Sequence, residues 1–445
     1  MIPRGLRVAA RVLRAEGARA VRERTLDRLA EARRRRSFLP SDTPLPSPVL
    51  DVASAAPAVR LGGVQAQLLH RLEAEARLRP VALLYPDGKG YRLEVQAGGE
   101  RRALQLPGEG APSSPALEDI GWERAVARAT RLVGATVLHI EGLADIPLGS
   151  LLELGRRGLR LVISLHDFSP FCPRPHLLER PPLRFCDYSR DLDRCARCLR
   201  WDWPLDGAWQ ARRRALAGAL LAGAEAVVYP SDFLRRTYLD LFPGLPAERQ
   251  RVIPPAAAWR PVRPRVPTGQ VRHVALVGGA QVHKGGLVFE EVARRLGDRS
   301  LRWSVYGGGD AEILARLREL PRVDVRGYYR SGSLPSLLRR DRVDVALLLS
   351  IVPESYSLVL SECWAAGVPV TAFDLGAVGD RIREGGGWRV PLEAGVEGVV
   401  DLLRDLLDGK VPLPQPLYRT TLAAADVARE WQGLYRALTP IPHRR

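Results

Sequence analysis

The sequence PESYSLVLSECWAAGVPV, residues 353–370, follows one short apolar run and overlaps the start of a second. We predict that a helix opens at Pro353 and Ser355 and continues to about Ala366, because Gly367 and Pro369 stop it. The start of this helix then lies at the carboxyl edge of a parallel sheet, where open α/β folds bind ligands. The apolar runs on either side have the pattern of buried parallel strands and cover residues 344–349 and 368–373.

Polar groups concentrate at the start of the predicted helix. Free backbone N–H groups near Ser357, Leu358 and Val359 are expected to point at an anion. Two glutamates lie eight positions apart, Glu354 before the helix and Glu362 inside it. Carboxylates at these places can accept hydrogen bonds from paired hydroxyls, as sugars and riboses present them. Taken alone, the spacing also fits a surface helix with two ordinary carboxylates.

The stretch resembles the signature of retaining glycosyltransferases of family 4, which have the GT-B fold. That signature is Glu, seven residues, Glu, then small-Gly-x-Pro-Val, and Glu354, Glu362 and residues 366–370 match it in place. The resemblance implies that Glu354 contacts the transferred sugar and that Glu362 contacts the ribose of the nucleotide. It also implies the fold class: an α/β protein with two Rossmann-like doubly wound domains facing across a cleft, preceded here by a basic helix.

Composition limits the class of protein. The chain has 445 residues, enough for two domains, and 46% of them are hydrophobic. It contains no run of eighteen apolar residues, and its basic N-terminus lacks the apolar core of a secretion signal. Five cysteines favour a reducing compartment over a disulfide scaffold. The expected location is the cytoplasm, and peripheral attachment to the inner face of the membrane is the alternative.

Positive charge concentrates at the N-terminus. The formal net charge is +17, and residues 1–36 hold twelve arginines and four acidic residues. This segment is predicted to be a helix that either lies on an anionic membrane surface, packs on the protein, or is a remnant linker between fused enzymes. An anionic glycan carrier is another partner, and nucleic acid is disfavoured because no binding signature accompanies the charge. Its predicted apolar side comprises Leu6, Ala9, Leu13, Ala20 and Val21.

Proline-rich stretches and changes of pattern indicate four segments. The prolines within residues 254–268 are expected to form the hinge between the two α/β domains. The predicted segments are a basic amphipathic extension over residues 1–40, an acceptor-side domain over 41–265 with a cysteine-rich insert at 168–203, a nucleotide-sugar domain over 266–418, and a C-terminal helix within 419–445 that packs back on the first domain.

Two features of the first domain resemble the acceptor domain of family 4 enzymes, more loosely than the opening stretch does. Gly62 and Gly63 precede a predicted helix, and His166 follows a predicted strand. The resemblance implies a place for the two glycines in the donor site. His166 is interpreted as a residue that positions the acceptor or the donor sugar, and a hydrogen-bonded structural histidine remains the alternative.

The insert carries four of the five cysteines. Two of them form a C-x-x-C pair, and four thiolates can hold zinc tetrahedrally. A set of free cysteines in an irregular loop is the alternative. Bacterial sugar transferases associated with surface polysaccharides have a similar insert, which implies that this loop shapes the acceptor pocket. The predicted ligands of this structural zinc are Cys172, Cys186, Cys195 and Cys198.

The second domain opens with a predicted strand at residues 273–277, a glycine turn at Gly278 and Gly279, and Lys284 before a helix. A glycine turn followed by a helix can bind phosphate. Lysine occurs only three times in the chain, so Lys284 is a candidate cation. Family 4 enzymes usually place an arginine where this chain has Gly279. The resemblance further implies that the backbone near Gly327 and Tyr328 holds the nucleotide base.

The implied reaction transfers a sugar from a nucleoside diphosphate to an acceptor hydroxyl with retention of configuration, by front-face attack. Lys284 and the helix N–H groups stabilise the leaving diphosphate, and Glu354, His166 and Lys284 are the predicted catalytic residues. No suitably placed Asp-x-Asp pair is evident, so metal-independent catalysis is expected. The acceptor is a glycan, a lipid-linked sugar or a protein, in cell-surface polysaccharide synthesis. A sugar-nucleotide epimerase and a non-catalytic scaffold remain alternatives.

Overall fold

The computed structural model describes residues 4–57, 63–88, 90–108, 110–112, 115–257, 259, 262–263, 269–297, 300–414 and 422–438, without the side chains of 4–9 and 11. The chain divides into two compact units. The nine-strand unit comprises Glu31–Pro181, Cys186–Ala257 and Leu422–Arg445, and the six-strand unit comprises Met1–Ala30, Pro182–Phe185 and Ala258–Thr421.

The N-terminal helix α1 spans Arg4–Arg36 and is broken at Gly17, whose φ of 88° and ψ of 170° are not helical. The predicted helix is thus confirmed, but its predicted apolar side is wrong in part. Ala20 is fully buried, whereas Leu13 is 51% exposed. The side chains of Leu6 and Ala9 lie outside the described residues. No helix in the described part of the chain combines the length and hydrophobicity needed to cross a membrane.

The nine-strand sheet has the order β1-β5-β4-β3-β2-β6-β7-β10-β11. The pairs β3–β4 and β4–β5 are antiparallel, and the other pairs are parallel. The predicted doubly wound parallel sheet thus includes two antiparallel strand pairs. Ala53, Glu141 and Ser164 lie in register at the carboxyl ends of β2, β6 and β7. The sheet order does not include β8 and β9. From residue 39 to residue 252 the elements are β1 Leu39–Pro40, β2 Val49–Ala53, α2 Gly63–Glu75, β3 Val81–Asp87, β4 Gly90–Ala97, β5 Glu100–Pro107, α3 Ile120–Val133, β6 Val137–Glu141, α4 Leu148–Arg156, β7 Arg160–Ser164, β8 Leu178–Glu179, β9 Arg184–Phe185, α5 Leu192–Leu199, α6 Gly207–Gly223, β10 Ala226–Tyr229, α7 Asp232–Leu241 and β11 Gln250–Val252.

The six-strand sheet is parallel throughout, in the order β14-β13-β12-β15-β16-β17. Helix α14 follows this unit in sequence and packs in the nine-strand unit, where Trp431 and Tyr435 are buried. The elements are β12 His273–Val277, α8 Gly286–Arg295, β13 Arg302–Tyr306, α9 Ala311–Glu319, β14 Val323–Gly327, α10 Leu334–Arg340, β15 Val345–Leu348, α11 Leu358–Ala365, β16 Val370–Phe373, α12 Gly376–Arg383, β17 Gly387–Val390, α13 Gly395–Leu407 and α14 Ala424–Leu438.

Apolar cores cover both faces of the six-strand sheet, which explains why its strands read as continuous apolar runs. Successive residues of β12 enter different cores: Val274 and Leu276 join one, and Ala275 and Val277 join the other. Helices α8, α9 and α13 contribute to the first core, and α10, α11 and α12 contribute to the second. The predicted strand at 273–277 is confirmed with its bounds.

The helix predicted from Pro353 begins later, at Leu358. The reason is Ser357, whose φ of 68° is left-handed and cannot belong to an α-helix. Glu362 therefore lies one turn inside α11, and residues 353–357 form a loop after β15. This loop is the frame on which the candidate site is built.

Candidate functional site

Lys284 and Glu354 meet at the carboxyl edge of the six-strand sheet. Lys284 ends the short 3₁₀ turn Val282–Lys284 that follows β12, and Glu354 lies in the loop after β15. The two strands are neighbours, and Lys284 Nζ donates a hydrogen bond of 2.6 Å to Glu354 Oε1. The side chains are 31% and 14% exposed, so the pair borders solvent.

Glycines bring the two loops together. Gly285 has a φ of 79°, and a Cβ there would collide with the carbonyl oxygen of Leu349. The N–H of Ile351 donates to the carbonyl oxygen of His283 at 3.0 Å, which holds the turn carrying Lys284 against the loop carrying Glu354. On the other side, Gly376 allows α12 to start against the backbone of Glu354. The positions of the two charged groups are therefore fixed by the backbone.

Glu354 is held in its ionised form. Burial alone would raise the pKa of Glu354, but the charge and hydrogen bond of Lys284 outweigh it, aided by a hydrogen bond with Ser357 and by His283. The pKa of Glu354 consequently lies below its ordinary value. An ionised carboxylate is an acceptor for hydroxyl groups, and Lys284 is a cation able to bind phosphate.

The turn before α11 is strained and is held by a residue that sequence reasoning missed. Arg381, on α12, donates to the carbonyl oxygens of Tyr356 and Ser357 at 2.8 and 2.9 Å and to Ser361 Oγ at 2.6 Å. Non-glycine residues with positive φ persist only where surrounding contacts hold them. Arg381 thereby directs the N-terminus of α11, with Leu358 and Val359, toward the site. No local sequence pattern points to Arg381, which lies five residues after Gly376.

Glu362 lies in the second turn of α11 and is 6% exposed. Burial raises the pKa of Glu362 to about 8, against a smaller lowering effect of a hydrogen bond from the Gly332 backbone. The side chain is therefore a neutral acid at neutral pH. A carboxyl group in this state changes charge readily when hydroxyl donors approach it.

The glycine turn after β12 explains the missing arginine. Gly279 has a φ of 111°, and a Cβ there would lie 2.7 Å from the carbonyl oxygen of Gly308. No larger residue fits, so the departure from the family pattern belongs to the fold of this turn. Gly278, with a φ of 88°, faces Val359 at ordinary contact distance. Gly278, Gly279, Lys284, Glu354 and the start of α11 therefore form one group.

Gly327 ends β14 and Tyr328 follows it, two strands away from β12. The N–H of Tyr328 donates to Glu16 Oε2 at 3.1 Å, a residue of α1. The hydroxyl of Tyr328 donates to Asp27 Oδ2 at 2.6 Å. Part of α1 thus contacts the position predicted for the nucleotide base.

His166 lies at the carboxyl edge of the nine-strand sheet. Its Nε2 is 3.1 Å from Glu141 Oε2, and it is 22% exposed. The residues of this edge line a cavity that is also lined by Arg71 and Trp431. Gly63 is the exposed first residue of α2, and Gly62 lies outside the described residues. His166 is the one histidine among the residues that line this cavity, so it can contact a ligand that enters the cavity.

A buried network, here called the Arg71 network, supports His166. It consists of Asp51, Arg71, Glu75, His139, Glu141 and Tyr435. Arg71 donates to Asp51 at 2.6 Å, to Glu75 at 2.8 Å and to Glu141. Burial would raise the pKa of Glu141, but Arg71 lowers it to about 2. Asp51, His139 and Glu141 place three potential metal-ligand atoms together; because Arg71 already supplies the cation between the two carboxylates, we assign no metal there.

The four cysteines of the insert line one small cavity. Burial raises the pKa of the Cys172 thiol to about 12 and raises that of Cys186. In the described part of the chain, only Asp51, His139 and Glu141 bring three potential ligand atoms within 4.8 Å of one another. The sulfur atoms of Cys172, Cys186, Cys195 and Cys198 thus share a cavity, but they are spaced more widely than in a tetrahedral zinc site.

Comparison with protein families places these two units among sugar-transferring enzymes. A glycosyl transferase 4-like domain matches residues 62–256, and a glycosyl transferases group 1 domain matches residues 272–408. The two domains together cover most of the chain, which is therefore a glycosyltransferase with the GT-B fold. None of the curated protein sequences matched the chain.

Solved structures show the same fold at low sequence identity. A sucrose-phosphate synthase from Thermosynechococcus elongatus is 16% identical, with a TM-score of 0.62 over 88% of this chain and 98% of that one. Anabaena Alr3699/HepE in complex with UDP-glucose is 12% identical, with a TM-score of 0.57 over 87% and 99%. The catalytic domain of starch synthase IV from Arabidopsis thaliana, bound to ADP and acarbose, is 11% identical, with a TM-score of 0.53 over 88% and 99%.

Proposed function

We propose that this glycosyltransferase moves a sugar from a nucleoside diphosphate to an acceptor hydroxyl with retention of configuration, in cell-surface polysaccharide or glycoconjugate synthesis. The observation that carries the proposal is the pair of Lys284 and Glu354. They lie 70 residues apart in sequence and meet at 2.6 Å beside the N-terminus of α11. A cation, a carboxylate and free helix N–H groups suit the diphosphate and the sugar of one donor.

The chemistry follows from these groups. Lys284 and the N–H groups of Leu358 and Val359 stabilise the charge that grows on the diphosphate as its bond to the sugar breaks. Glu354 accepts hydrogen bonds from the sugar hydroxyls once Lys284 turns to the phosphate. The acceptor oxygen bonds to the anomeric carbon on the face that the diphosphate leaves, and a phosphate oxygen takes its proton. No strong protein base is then required, and no metal ion takes part.

His166 is proposed to orient the acceptor or the transferred sugar. Its ring is held by Glu141, which in turn is fixed by Arg71. An ionised Glu141 keeps a proton on the facing ring nitrogen of His166, so the other nitrogen is presented as an acceptor for a hydroxyl. The solved relatives that carry UDP, UDP-glucose and ADP support nucleotide sugars as the class of donor.

We also propose that the insert binds a structural zinc ion through Cys172, Cys186, Cys195 and Cys198. Support comes from the shared cavity that the four thiols line. Binding draws the sulfur atoms together and releases their protons, since zinc binds thiolates. Metal analysis of the purified protein is expected to find one zinc per chain, absent in Cys195→Ser and retained in Cys363→Ser, whose cysteine is buried elsewhere.

Contact with an anionic membrane is proposed through the exposed arginines of α1, among them Arg14, Arg22 and Arg28. Flotation with vesicles containing an anionic lipid tests it. Binding that disappears in neutral vesicles and in the triple alanine variant is the expected result. Equal flotation with both kinds of vesicle overturns the proposal.

A thermal-shift screen of nucleoside diphosphates and their sugars tests the donor site. We expect one nucleotide class to raise the melting temperature of the wild-type protein and of Lys410→Ala, but not of Lys284→Ala. Lys410 is the matched control because its side chain is 64% exposed in a separate ion pair. NMR of the product then reports whether the anomeric configuration is retained. A chain that binds no nucleotide is the scaffold alternative, and turnover without an acceptor identifies an epimerase.

A further inference from the structure

The segment of α1 around its break is bound to the six-strand unit by specific polar contacts. Glu16 is 7% exposed and Asp27 is 2% exposed. Glu16 accepts from the N–H of Tyr328 at 3.1 Å and from Arg24 Nη2 at 2.5 Å. Asp27 accepts from the hydroxyl of Tyr328 at 2.6 Å and from Arg330 Nε at 3.1 Å. Buried carboxylates with charge-assisted partners fix a segment in one register.

The backbone of both partners is shaped for this contact. Gly17 breaks the helix, and the carbonyl oxygen of Ala15 just before the break accepts from Arg318 Nη2 at 2.5 Å. Gly327 has a φ of 68°, and a Cβ there would lie 2.5 Å from the carbonyl oxygen of Glu16. A Cβ on Gly308 would lie 3.3 Å from both Glu16 Oε1 and Arg24 Nη2. The glycines at the ends of β13 and β14 therefore allow α1 to approach closely.

These contacts lie where a bound nucleotide must extend. Open α/β sheets bind ligands outside the carboxyl ends of their strands. Lys284 and Glu354 lie at the ends of β12 and β15, and Tyr328 lies at the end of β14. Two strand spacings separate β12 from β14, about 10 Å. That separation is comparable with the span from the diphosphate to the base of a nucleotide, so a base would reach the N–H of Tyr328.

We propose that residues 15–27 of α1 occupy the site of the nucleotide base, so that the chain binds its donor only when this segment leaves. The proposal rests on the proposed function, because it needs a nucleotide donor at Lys284. Glu16 takes the hydrogen bond from Tyr328 that a base oxygen or ring nitrogen would take. The N-terminal helix is then an autoinhibitory element, and the fraction of molecules with α1 released sets the apparent affinity for the donor.

The test compares four full-length proteins: wild type, the double variant Glu16→Ala with Asp27→Ala, the isosteric double variant Glu16→Gln with Asp27→Asn, and Glu23→Ala. Glu23 is the control because it is an α1 carboxylate that makes no hydrogen bond or ion pair within the described part of the chain. Calorimetric titrations with UDP, ADP and GDP give the affinities. Hydrogen exchange of peptides covering residues 12–30 reports whether α1 is bound, with and without saturating nucleotide.

We expect both double variants to bind the preferred nucleotide about tenfold or more tightly than wild type, with Glu23→Ala unchanged. The isosteric variant serves alone if the alanine variant unfolds. In wild type, saturating nucleotide should speed exchange in residues 15–27. Equal affinities in all proteins, or exchange in α1 that nucleotide leaves unchanged or slows, overturns the autoinhibition and leaves the proposed function standing. Absence of binding in every protein, released variants included, overturns both.

Discussion

Each unit has a cluster of charged residues at the carboxyl edge of its own sheet, and the two clusters differ in how completely their charges are paired. In the nine-strand unit, Arg71 is surrounded by three carboxylates and the side chains are almost wholly buried. In the six-strand unit, Lys284 has one carboxylate partner and both side chains border solvent. A ligand can take over the second arrangement, whereas the first is suited to holding His166 in place.

The largest expected effect comes from breaking the Arg71 network. Arg71→Met removes the cation that Asp51, Glu75 and Glu141 share and leaves Arg79 as the remaining guanidinium beside Asp51 and Glu75. The free energy of unfolding should therefore fall by about 3–5 kcal/mol. Urea unfolding measures it. Arg212→Met is the control, because Arg212 pairs with Glu118 on the surface with more than half of each side chain exposed, and about 1 kcal/mol or less is expected. Equal decreases in the free energy of unfolding of the two variants would show that the Arg71 network stabilises the fold no more than a surface ion pair does.

The second effect should appear in catalysis without a comparable loss of stability. Glu354→Gln retains the shape of the side chain but removes the charge that pairs with Lys284 and accepts from the sugar. We expect the rate of transfer to fall by about 10²–10³-fold. Glu319→Gln, an exposed carboxylate at the end of α9, should leave the rate unchanged. Initial rates of transfer, measured with the donor found in the thermal-shift screen, test this prediction. A rate for Glu354→Gln near that of wild type would show that Glu354 is not a catalytic residue.

The same contrast explains how much could be predicted from sequence. The strand β12 was predicted with its bounds because burial on both faces leaves a continuous apolar run. The strand Val49–Ala53 was missed, although it lies in the middle of its sheet. It contains Asp51, whose buried charge is compensated chiefly by Arg71 from α2, with His139 and Arg79 beside it. A single sequence does not show such a partner.

Site residues divide in a similar way. Glu354 and Glu362 could be proposed from one local motif, and Lys284 could be proposed from the glycine turn that precedes it. Arg381 and Glu141 could not, since each acts through a partner that the fold brings to it. The start of α11 was misplaced because nothing in the residue type of Ser357 signals a positive φ. The contact of Glu16 with Tyr328 joins residues 312 positions apart, beyond the reach of any pattern.

A third, smaller effect concerns the strained turn. Arg381→Ala removes the donors to the carbonyl oxygens of Tyr356 and Ser357, which should lower the free energy of unfolding by about 1.5–3 kcal/mol. Nucleotide affinity should fall as well, because the N-terminus of α11 loses its direction. Arg381→Lys should restore stability only in part, since one ammonium cannot reproduce the guanidinium contacts. Arg383→Ala is the control, because the side chain of Arg383 is exposed. Unchanged nucleotide affinity in Arg381→Ala would show that Arg381 has a structural role only.

The smallest effect is a dependence on pH that separates Glu362 from Glu354. Because the pKa of Glu362 is raised to about 8 from an ordinary value of 4.5, its neutral form favours the folded state. That contribution is complete below about pH 4.5 and is lost as the pH rises through about 8, so Glu362→Gln should be more stable than wild type above that pH.

The pH dependence of donor binding has the opposite sign to that of stability, since ribose hydroxyls donate to the ionised carboxylate of Glu362. Nucleotide affinity of the wild type should therefore rise by up to about tenfold per pH unit toward pH 8 and then level off. Glu362→Gln retains the titration of the nucleotide itself and loses only this proton. Calorimetric titrations of both proteins at several pH values should thus give curves that differ by one proton, and parallel curves would show that Glu362 does not meet the ribose.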